Sequence, residues 1–264
     1  MAQKLAMSLA HGAEIVKRPE VTHDAFLGGK LTITQPAKGF RAGLDSVLLG
    51  AAVGHGDGDL LDLGAGVGTA ALVALADHQT LRATLVESDP ETAAVAADNV
   101  VSNGFARRAK VLTLDLTATG RARSAAGLEP DHYATVIANP PFFEVGTTPA
   151  PRRAAARHMS AAALDAWVKT AASHAAPGGE IIFVHVADKL SALLQSFEAR
   201  FGAITVLPLV PRESEPTHRI LIRGIKGSRA PLTLLASRAV HTPSGRSFRP
   251  EFEAIFRGRD RLHW

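Results

Sequence analysis

The chain has 264 residues, of which 46% are hydrophobic and 20% charged, with a formal net charge of +4. This length and apolar content can bury a sizeable core in one large domain with small appendages, so extensive disorder is not expected. The absence of cysteine excludes disulfides, thiolate nucleophiles and cysteine-ligated zinc, and it fits a reducing compartment such as the cytoplasm. No apolar run reaches the roughly 18 residues of a membrane helix, so we expect no membrane span.

The N-terminal part predicts a hairpin followed by a helix. The stretch "DAFLGGKLTITQPAKGFRAGLD" has two β-rich runs around a Gly-Gly pair, and "SVLLGAAV" follows as an apolar helix. Asp45 precedes the apolar run, and we expect it to cap that helix, because a side-chain carboxylate can accept from the free N–H groups of the first turn.

Residues 59–225 alternate between short β-rich runs and alanine-rich segments of helical length. The predicted strands are "DLLDLGAG", "ATLVESD", "AKVLTLDL", "HYATVIANPPFF", "EIIFVHV", "AITVLPLVP" and "THRILIRGIK". The helix in "SAAALDAWVKTAASHAAPGG" should end at Pro177-Gly178-Gly179. Strands alternating with helices predict an α/β fold, a doubly wound and mostly parallel sheet covered on both faces. The last two strands have no helix between them, which predicts an antiparallel pair.

Residues beyond 230 predict a further strand, a Pro-Ser-Gly turn and a short terminal helix. The final "RSFRPEFEAIFRGRDRLHW" contains five arginines, and residues 212–229 contain five basic residues and two acidic ones. Each cluster can be ordinary solvated surface, but together they permit a polyanionic partner.

The first strand-to-helix turn, "LLDLGAGVGTAAL", indicates a cofactor site. Gly64, Gly66 and Gly68 lie between a strand and a helix, where glycines allow a tight turn and let a ligand approach the backbone. The spacing is GxGxG, because Thr69 stands where the dinucleotide fingerprint requires glycine. A nucleotide-type cofactor is implied, and the alternative is that the glycines only serve packing.

Two further strand ends carry acidic residues that suit a nucleoside. Glu87 ends the second strand, where a carboxylate can accept both ribose hydroxyls. Asp89 is better placed as the N-cap of the helix that Pro90 opens. Asp115 follows the third strand and can accept a hydrogen bond from an adenine amino group, or it can be a loop aspartate that faces water.

These three strand ends resemble the class I S-adenosylmethionine-dependent methyltransferases, with a similarity that covers roughly residues 59–225. The resemblance implies a Rossmann-like sheet of seven strands, with Glu87 at the ribose and Asp115 at the adenine. It assigns the methionine side of the cofactor to Asp62, Gly64, Ala65, Gly66 and Gly68. The implied division of the chain is an N-terminal arm and hairpin lid at 1–45, a methyltransferase domain at 46–230 and a C-terminal extension at 231–264 packed on the same domain.

The fourth strand ends in "ANPPFF", and two consecutive prolines cannot continue a strand ladder. In the same family, Asn/Asp/Ser-Pro-Pro-aromatic marks enzymes that methylate an amino nitrogen conjugated to a π system. By this resemblance Asn139 and the Pro140 carbonyl each accept one N–H of the target amine, and Phe142 stacks on its ring. Asn139 also faces the cofactor. We therefore expect Asn139, Pro140 and Phe142 to be catalytic, with no strong general base needed.

The flanking segments are similar to the bacterial family that methylates N6 of the adenosine just 3′ of the anticodon in valine tRNA. The similar segments are "LTITQPAKGFRAGLDSVLLGAAV", "PAPRRAAARHMSAAALDAWVKTA" and "FRPEFEAIFRG". The chain departs from the best-known members at Phe142, where they carry tyrosine. The resemblance implies an RNA adenine-N6 methyltransferase, cytoplasmic, without a metal.

Arg152, Arg153 and Arg157 follow the Asn-Pro-Pro motif and are candidates to bind the RNA backbone. A lone domain of this size has little surface to dedicate to RNA, and a homodimer would supply more. Two alternatives stay open at this point: methylation of a protein glutamine or a small molecule, and a non-catalytic module that binds cofactor or RNA.

Overall fold

The computed structural model describes residues 20–38, 41–54, 56–141 and 160–264. The helices are α1 Leu44–Ala51, α2 Thr69–Asp77, α3 Pro90–Ser102, α4 Gly120–Ala125, α5 Ala161–His174, α6 Leu190–Glu198 and α7 Pro250–Phe256. The strands are β1 Val21–Phe26, β2 Leu31–Pro36, β3 Asp59–Leu63, β4 Arg82–Glu87, β5 Ala109–Thr113, β6 Tyr133–Ala138, β7 Ala175–Val186, β8 Phe201–Val210, β9 Arg219–Lys226, β10 Thr233–Leu234 and β11 Arg238–Ala239.

Strands β3 to β11 form one sheet, in the order β10-β8-β9-β7-β6-β3-β4-β5, with β11 also paired to β8. Neighbours from β5 to β7 along this order are parallel, whereas β9 is antiparallel to both β7 and β8. In the described part of the chain, seven long strands thus form the mostly parallel sheet of the predicted α/β fold. The predicted antiparallel last strand is also confirmed. The two-residue strands β10 and β11 only extend the β8 edge.

The sheet has an apolar core on each face, because successive side chains of a strand point to opposite sides. On β7, Ile182 and Val184 join the core formed with α1, α2 and α7, whereas Ile181 and Phe183 join the core formed with α5 and α6. All four are fully buried. This double coverage is typical of parallel sheets, and it leaves the carboxyl edge of the strands as the accessible edge for function.

The β1–β2 hairpin is attached to α3 by two asparagines. Asn99 donates to the Thr34 carbonyl (2.9 Å) and accepts from the Thr34 N–H (2.8 Å), while Asn103 does the same with Thr32 (both 2.9 Å). Asn99 also donates to the Val67 carbonyl at 3.0 Å. The hairpin is therefore linked through one side chain to the glycine-rich turn.

The C-terminal residues of the chain donate hydrogen bonds to carbonyls at the C-terminal end of α1. Helix C-termini leave carbonyls without a partner inside the helix. Here the Leu262 N–H donates to the Ala51 carbonyl (2.9 Å) and the Trp264 indole N–H donates to the Ala52 carbonyl (3.0 Å). Phe252 on α7 is fully buried in the same core.

The expected cap at Asp45 is wrong. Helix α1 begins at Leu44, its N-cap is Gly43, and no side chain caps it. Because the helix starts before Asp45, that carboxylate belongs to the first turn, and it accepts from Arg219 Nε at 3.0 Å at the start of β9. Asp89, by contrast, does cap α3 by accepting from the Thr92 N–H.

The predicted end of the helix after the Asn-Pro-Pro motif is also wrong. Helix α5 ends at His174, and Ala175 already pairs with Tyr133 in the sheet, so β7 starts before Pro177. The pairing with β6 overrides the helical propensity of the alanines. Helix α4 was not predicted, because none of its residues is buried and it therefore shows no apolar periodicity.

Candidate active site

The turn between β3 and α2 places three glycines with positive φ at the carboxyl edge of the sheet. A Cβ on Gly64 (φ +66°) would lie 2.3 Å from the Trp167 ring, and one on Gly68 (φ +89°) would lie 2.8 Å from Leu85. A Cβ on Gly66 would meet nothing within 4 Å. Gly64 and Gly68 are thus required for packing as well as for the turn, whereas Gly66 faces open space that a ligand can approach.

Asp62 is a buried carboxyl group just before this turn. Its Oδ2 atom accepts from the Ala71 N–H at 3.2 Å, so a side chain of β3 satisfies a free donor in the first turn of α2. Burial is the main cause of the rise in the pKa of Asp62 to about 7; the Ala71 hydrogen bond opposes this rise, and the nearby Glu87 charge contributes to it. Near neutral pH the group can take up or release a proton in response to a bound charge.

Glu87 ends β4 and is held against the glycine turn by backbone donors. Its Oε2 atom accepts from the Gly66 N–H (2.9 Å), and its Oε1 atom accepts from the N–H groups of Ser88 (2.8 Å) and Asp89 (2.9 Å). Three charge-assisted hydrogen bonds fix a carboxylate beside Gly66, where it can accept from a ligand hydroxyl.

Asp115 lies two residues beyond β5, which ends at Thr113, and its side chain is exposed. Its Oδ1 atom accepts from both the N–H and the hydroxyl of Thr117, each at 2.8 Å, in a local aspartate turn. The Leu114 N–H donates to the Glu87 carbonyl at 2.9 Å. Asp115 therefore lies close to the end of β4, on the same edge of the sheet as Glu87.

Asn139 follows β6 directly and lies next to the glycine turn. Ala138 pairs with Leu63 of β3 on one side and Phe183 of β7 on the other. The Asn139 Oδ1 atom is buried, and no described residue donates a hydrogen bond to it. Because buried polar atoms are almost always hydrogen-bonded, a carbonyl oxygen without a donor at this edge is an acceptor available to a ligand.

The strand ends bring most of the predicted site residues to one edge of the sheet. Along it lie Asp115, Glu87, the turn with Gly64, Ala65, Gly66 and Gly68, and then Asn139 and Pro140, in the spatial order β5, β4, β3, β6. Phe142, Arg152, Arg153 and Arg157 lie outside the described residues. The structure therefore places the residues expected to bind the cofactor on the same edge of the sheet as Asn139, and the roles of all these residues stay predictions.

Two residues near the glycine turn were not predicted from the sequence. Trp167 of α5 lies against Gly64, although its place in an alanine-rich helix indicates only an ordinary core residue. The hydroxyl of Thr69 at the start of α2 is buried, with no hydrogen-bond partner among the described residues. The spacing of residues in the sequence does not connect Trp167 or Thr69 to the turn. For Thr69, the only indication is that a polar residue directly follows the last glycine.

Over the described ranges, no cluster of three or more His, Asp or Glu side chains has an arrangement that could hold a metal ion. A search of the same ranges finds no helix with the length and apolar character needed to cross a membrane.

Comparison with known proteins identifies related sequences. Residues 45–208 match the sequence model of the methyltransferase small domain. A protein of Flavobacteriaceae bacterium (strain 3519-10), named tRNA1(Val) (adenine(37)-N6)-methyltransferase, is 31% identical over 131 residues, which are 49% of this chain and 52% of that protein. A protein of the same name from Pedobacter heparinus is 26% identical over 204 residues, 75% of this chain and 83% of that protein. The chain thus spans about half the length of the first of these relatives.

A solved structure is also similar over most of the chain. The crystal structure of a predicted O-methyltransferase from Agrobacterium tumefaciens superposes with a TM-score of 0.71 and 28% sequence identity. The match covers 83% of this chain and 98% of that one. The fold described above is therefore shared with this protein, which is named as a predicted O-methyltransferase, whereas the two sequence relatives are named as N6-methyltransferases.

Proposed function

Because the chain belongs to the methyltransferase small domain family, we propose that it transfers a methyl group from S-adenosylmethionine to the N6 amino group of an adenine in tRNA. The observation that carries this proposal is the buried Asn139 Oδ1 atom, which has no donor among the described residues and lies beside the glycine turn. An amino group is the kind of partner that this acceptor lacks.

The residues at the glycine turn fit the cofactor. Gly66 leaves room for a ligand, and Glu87 is held beside it with a carboxylate suited to ribose hydroxyls. Asp62 would face the ammonium end, and the positive charge there would lower its raised pKa and favour the carboxylate. Asp115 would accept from the adenine amino group, as expected from its place after β5. The cofactor supplies an electrophilic methyl group on sulfur.

Asn139 and Pro140 would align the acceptor. The exocyclic nitrogen of adenine is a weak nucleophile, because its lone pair is delocalised into the ring. Asn139 Oδ1 and the Pro140 carbonyl are two fixed acceptors, and each would accept a hydrogen bond from one N–H of the amino group. This would orient the nitrogen lone pair towards the methyl group. Alignment supplies much of the rate, and the same two oxygens stabilise the positive charge that develops on nitrogen. Phe142 would stack on the base.

The choice between nitrogen and oxygen as the acceptor atom follows from this pair of carbonyl groups. The A. tumefaciens relative is named a predicted O-methyltransferase, and the sequence relatives are named N6-methyltransferases. A hydroxyl has one hydrogen, so it would leave one of the two acceptors unused, and its proton would have to be removed by a base. An amino group uses both acceptors and loses its proton readily after methylation. The Asn139-Pro140 pair therefore favours nitrogen.

The tRNA substrate is supported by the names of the relatives and by the basic residues. Arg152, Arg153 and Arg157 follow the motif closely in sequence and would bind phosphates near the extruded base. The proposal places the protein in the cytoplasm with tRNA. The rival substrates are a protein glutamine side chain and a small molecule, for which the arginines would have no role.

The test is methyl transfer from labelled S-adenosylmethionine to unmodified valine tRNA, with Asn139→Ala as the variant. We expect wild-type transfer to tRNA, a loss of at least about 100-fold in kcat for Asn139→Ala, and unchanged cofactor affinity, because two interactions made at the reacting nitrogen are reduced to one. Asn103→Ala is the matched control, since it removes an amide that contacts only the hairpin and its own helix. Full activity of Asn139→Ala would contradict the catalytic assignment, and transfer only to protein would favour the rival substrate.

A further inference from the structure

An arginine of helix α4 holds the turn that carries Asp115. The Arg123 Nη1 group donates to the carbonyls of Leu116 (3.2 Å) and Ala118 (2.6 Å). The Thr170 hydroxyl of α5 donates to the Leu116 carbonyl as well, at 3.4 Å. Residues 115–118, which we call the Asp115 turn, are therefore attached to both α4 and α5.

The Asp115 carboxylate is oriented by this turn. Its Oδ1 atom accepts from the N–H and the hydroxyl of Thr117, and the Asp115 carbonyl accepts from the Ala118 N–H at 3.1 Å. The side chain is exposed, and among the described residues Thr117 is its hydrogen-bonding partner. The position of the carboxylate consequently depends on where the turn is held, and Arg123 holds the turn.

Arg123 is itself oriented by a buried histidine, His174, at the end of α5. Arg123 Nε donates to His174 Nε2 at 3.1 Å, so the ring carries its proton on Nδ1. That Nδ1–H donates to the Glu129 carbonyl at 2.9 Å. His174 is 2% exposed, and burial is the main cause that lowers its pKa. The ring therefore stays in the neutral form that can accept from Arg123.

The hydrogen bonds of Arg123 fix the guanidinium in one plane. The group is flat, and it donates from Nε to the ring and from Nη1 to two carbonyls. Hydrogen bonds from a charged donor are stronger than those between neutral groups. No residue of α4 is buried, so apolar packing does not hold this helix. The arginine network consequently fixes both α4 and the Asp115 turn.

We propose that Arg123, oriented by His174, is a positioning residue for the cofactor: it holds the Asp115 turn where the carboxylate meets the adenine amino group of S-adenosylmethionine. This inference rests on the proposed function, in which Asp115 accepts from that amino group. Arg123 acts through Asp115 and takes no part at the reacting nitrogen. Its loss should therefore weaken recognition of the adenine and leave kcat at saturating cofactor unchanged.

The experiment measures the affinity for S-adenosylhomocysteine and for its purine analogue, which lacks the 6-amino group, by isothermal titration calorimetry. The ratio of the two dissociation constants reports the hydrogen bond of the amino group, because the ligands share every other group. We expect wild type to prefer S-adenosylhomocysteine by about 10- to 100-fold, the effect of a hydrogen bond to a charged group.

The variants test whether Arg123 acts through Asp115. Asp115→Ala should abolish the preference, and Arg123→Ala should lower it by at least about 5-fold. The double variant should show no smaller preference than Asp115→Ala alone, because the two changes remove the same interaction. Affinity for the purine analogue should stay at the wild-type value in all three variants, which shows that the cofactor site is folded.

Two substitutions of His174 and one control complete the set. His174→Gln keeps an acceptor for Arg123 and a donor for the Glu129 carbonyl, so the preference should be retained, whereas His174→Leu keeps neither and should lower it. Arg121→Ala is the matched control, because it removes an exposed arginine from the same helix, and it should behave as wild type.

A wild-type preference in Arg123→Ala, combined with a lost preference in Asp115→Ala, would overturn the positioning role. An equal loss of affinity for both ligands in Arg123→Ala would do the same. In both cases the assignment of Asp115 and the proposed function would stand. An unchanged preference in Asp115→Ala would overturn that assignment together with the role of Arg123. A wild-type protein that binds neither ligand would contradict the proposed function itself, so the failures are distinguishable.

Discussion

Asp62 is a buried carboxyl group that links strand β3 to helix α2 beside the glycine turn. It satisfies the Ala71 N–H at the start of α2, and burial raises its pKa from 3.8 to about 7. The native state therefore keeps a proton that the unfolded chain releases near pH 4. The contribution of Asp62 to stability is full below pH 4 and is lost as the pH rises towards 7, at about 1.4 kcal/mol per pH unit.

Asp62→Asn should flatten this pH dependence. Asparagine keeps an oxygen that can accept from Ala71 but cannot ionise, so between about pH 5 and pH 7 the free energy of unfolding should fall by about 2 kcal/mol less than in wild type. The measurement is urea unfolding without cofactor at several pH values. Parallel curves for the two proteins would contradict the raised pKa.

At the scale of elements, the turn between β3 and α2 is shaped by α5 as well as by its own glycines. A side chain at Gly64 would overlap the Trp167 ring, whereas one at Gly66 would enter open space. Both residues have positive φ, 66° and 56°. Both positions thus require a left-handed backbone, but only Gly64 is packed against another side chain. Substitutions at Gly64 and Gly66 can therefore separate the effect of packing from the effect of backbone strain.

Gly64→Ala should destabilise the protein by several kcal/mol, because the overlap with Trp167 adds to the roughly 1 kcal/mol of left-handed strain that Gly66→Ala also has. Trp167→Ala should be less harmful in the Gly64→Ala background than in wild type, with a coupling of at least about 1 kcal/mol. Denaturant unfolding of the four proteins of this cycle measures the coupling, and additive effects would show that the ring does not restrict Gly64.

The sequence predicts elements best where the signal is local. Gly64 to Gly68, Glu87 and Asn139 follow apolar runs directly, so the edge they share could be predicted from the ends of the strands. The ion pair of Asp45 with Arg219 joins residues 174 positions apart, and the contact of Trp167 with Gly64 joins two different elements. Both contacts depend on how the strands and helices assemble, and a local sequence pattern does not contain this information. The local pattern around Asp45 therefore predicts a helix cap, whereas the structure shows an ion pair.

At the scale of the whole molecule, both ends of the described chain are packed against the central sheet and its helices. The hairpin is held by Asn99 and Asn103 of α3, and the last residues are held at the end of α1. The Arg223 guanidinium lies 4.6 Å from the centre of the Trp264 ring, which adds a cation–π contact between β9 and the C-terminal residue. A homodimer remains a prediction, and the division into parts at 45 and 230 is likewise a proposal.

Trp264→Ala should lower the free energy of unfolding by about 2 kcal/mol, because it removes packing, the hydrogen bond to Ala52 and the contact with Arg223. His263→Ala is the control at an exposed neighbour and should change stability by less than about 0.5 kcal/mol. Thermal and urea unfolding test this, and equal stability of both variants would show that the C-terminus is not part of the cooperative unit.

We propose that the protein methylates an adenine amino group in tRNA, with Asn139 at the edge of the sheet as an acceptor for that group. This proposal is tested most directly by mass spectrometry of nucleosides from unmodified valine tRNA incubated with the protein and S-adenosylmethionine. We predict N6-methyladenosine with the wild-type protein and its absence with Asn139→Ala. A ribose-methylated nucleoside, or no methylated nucleoside with the wild-type protein, would contradict the claim.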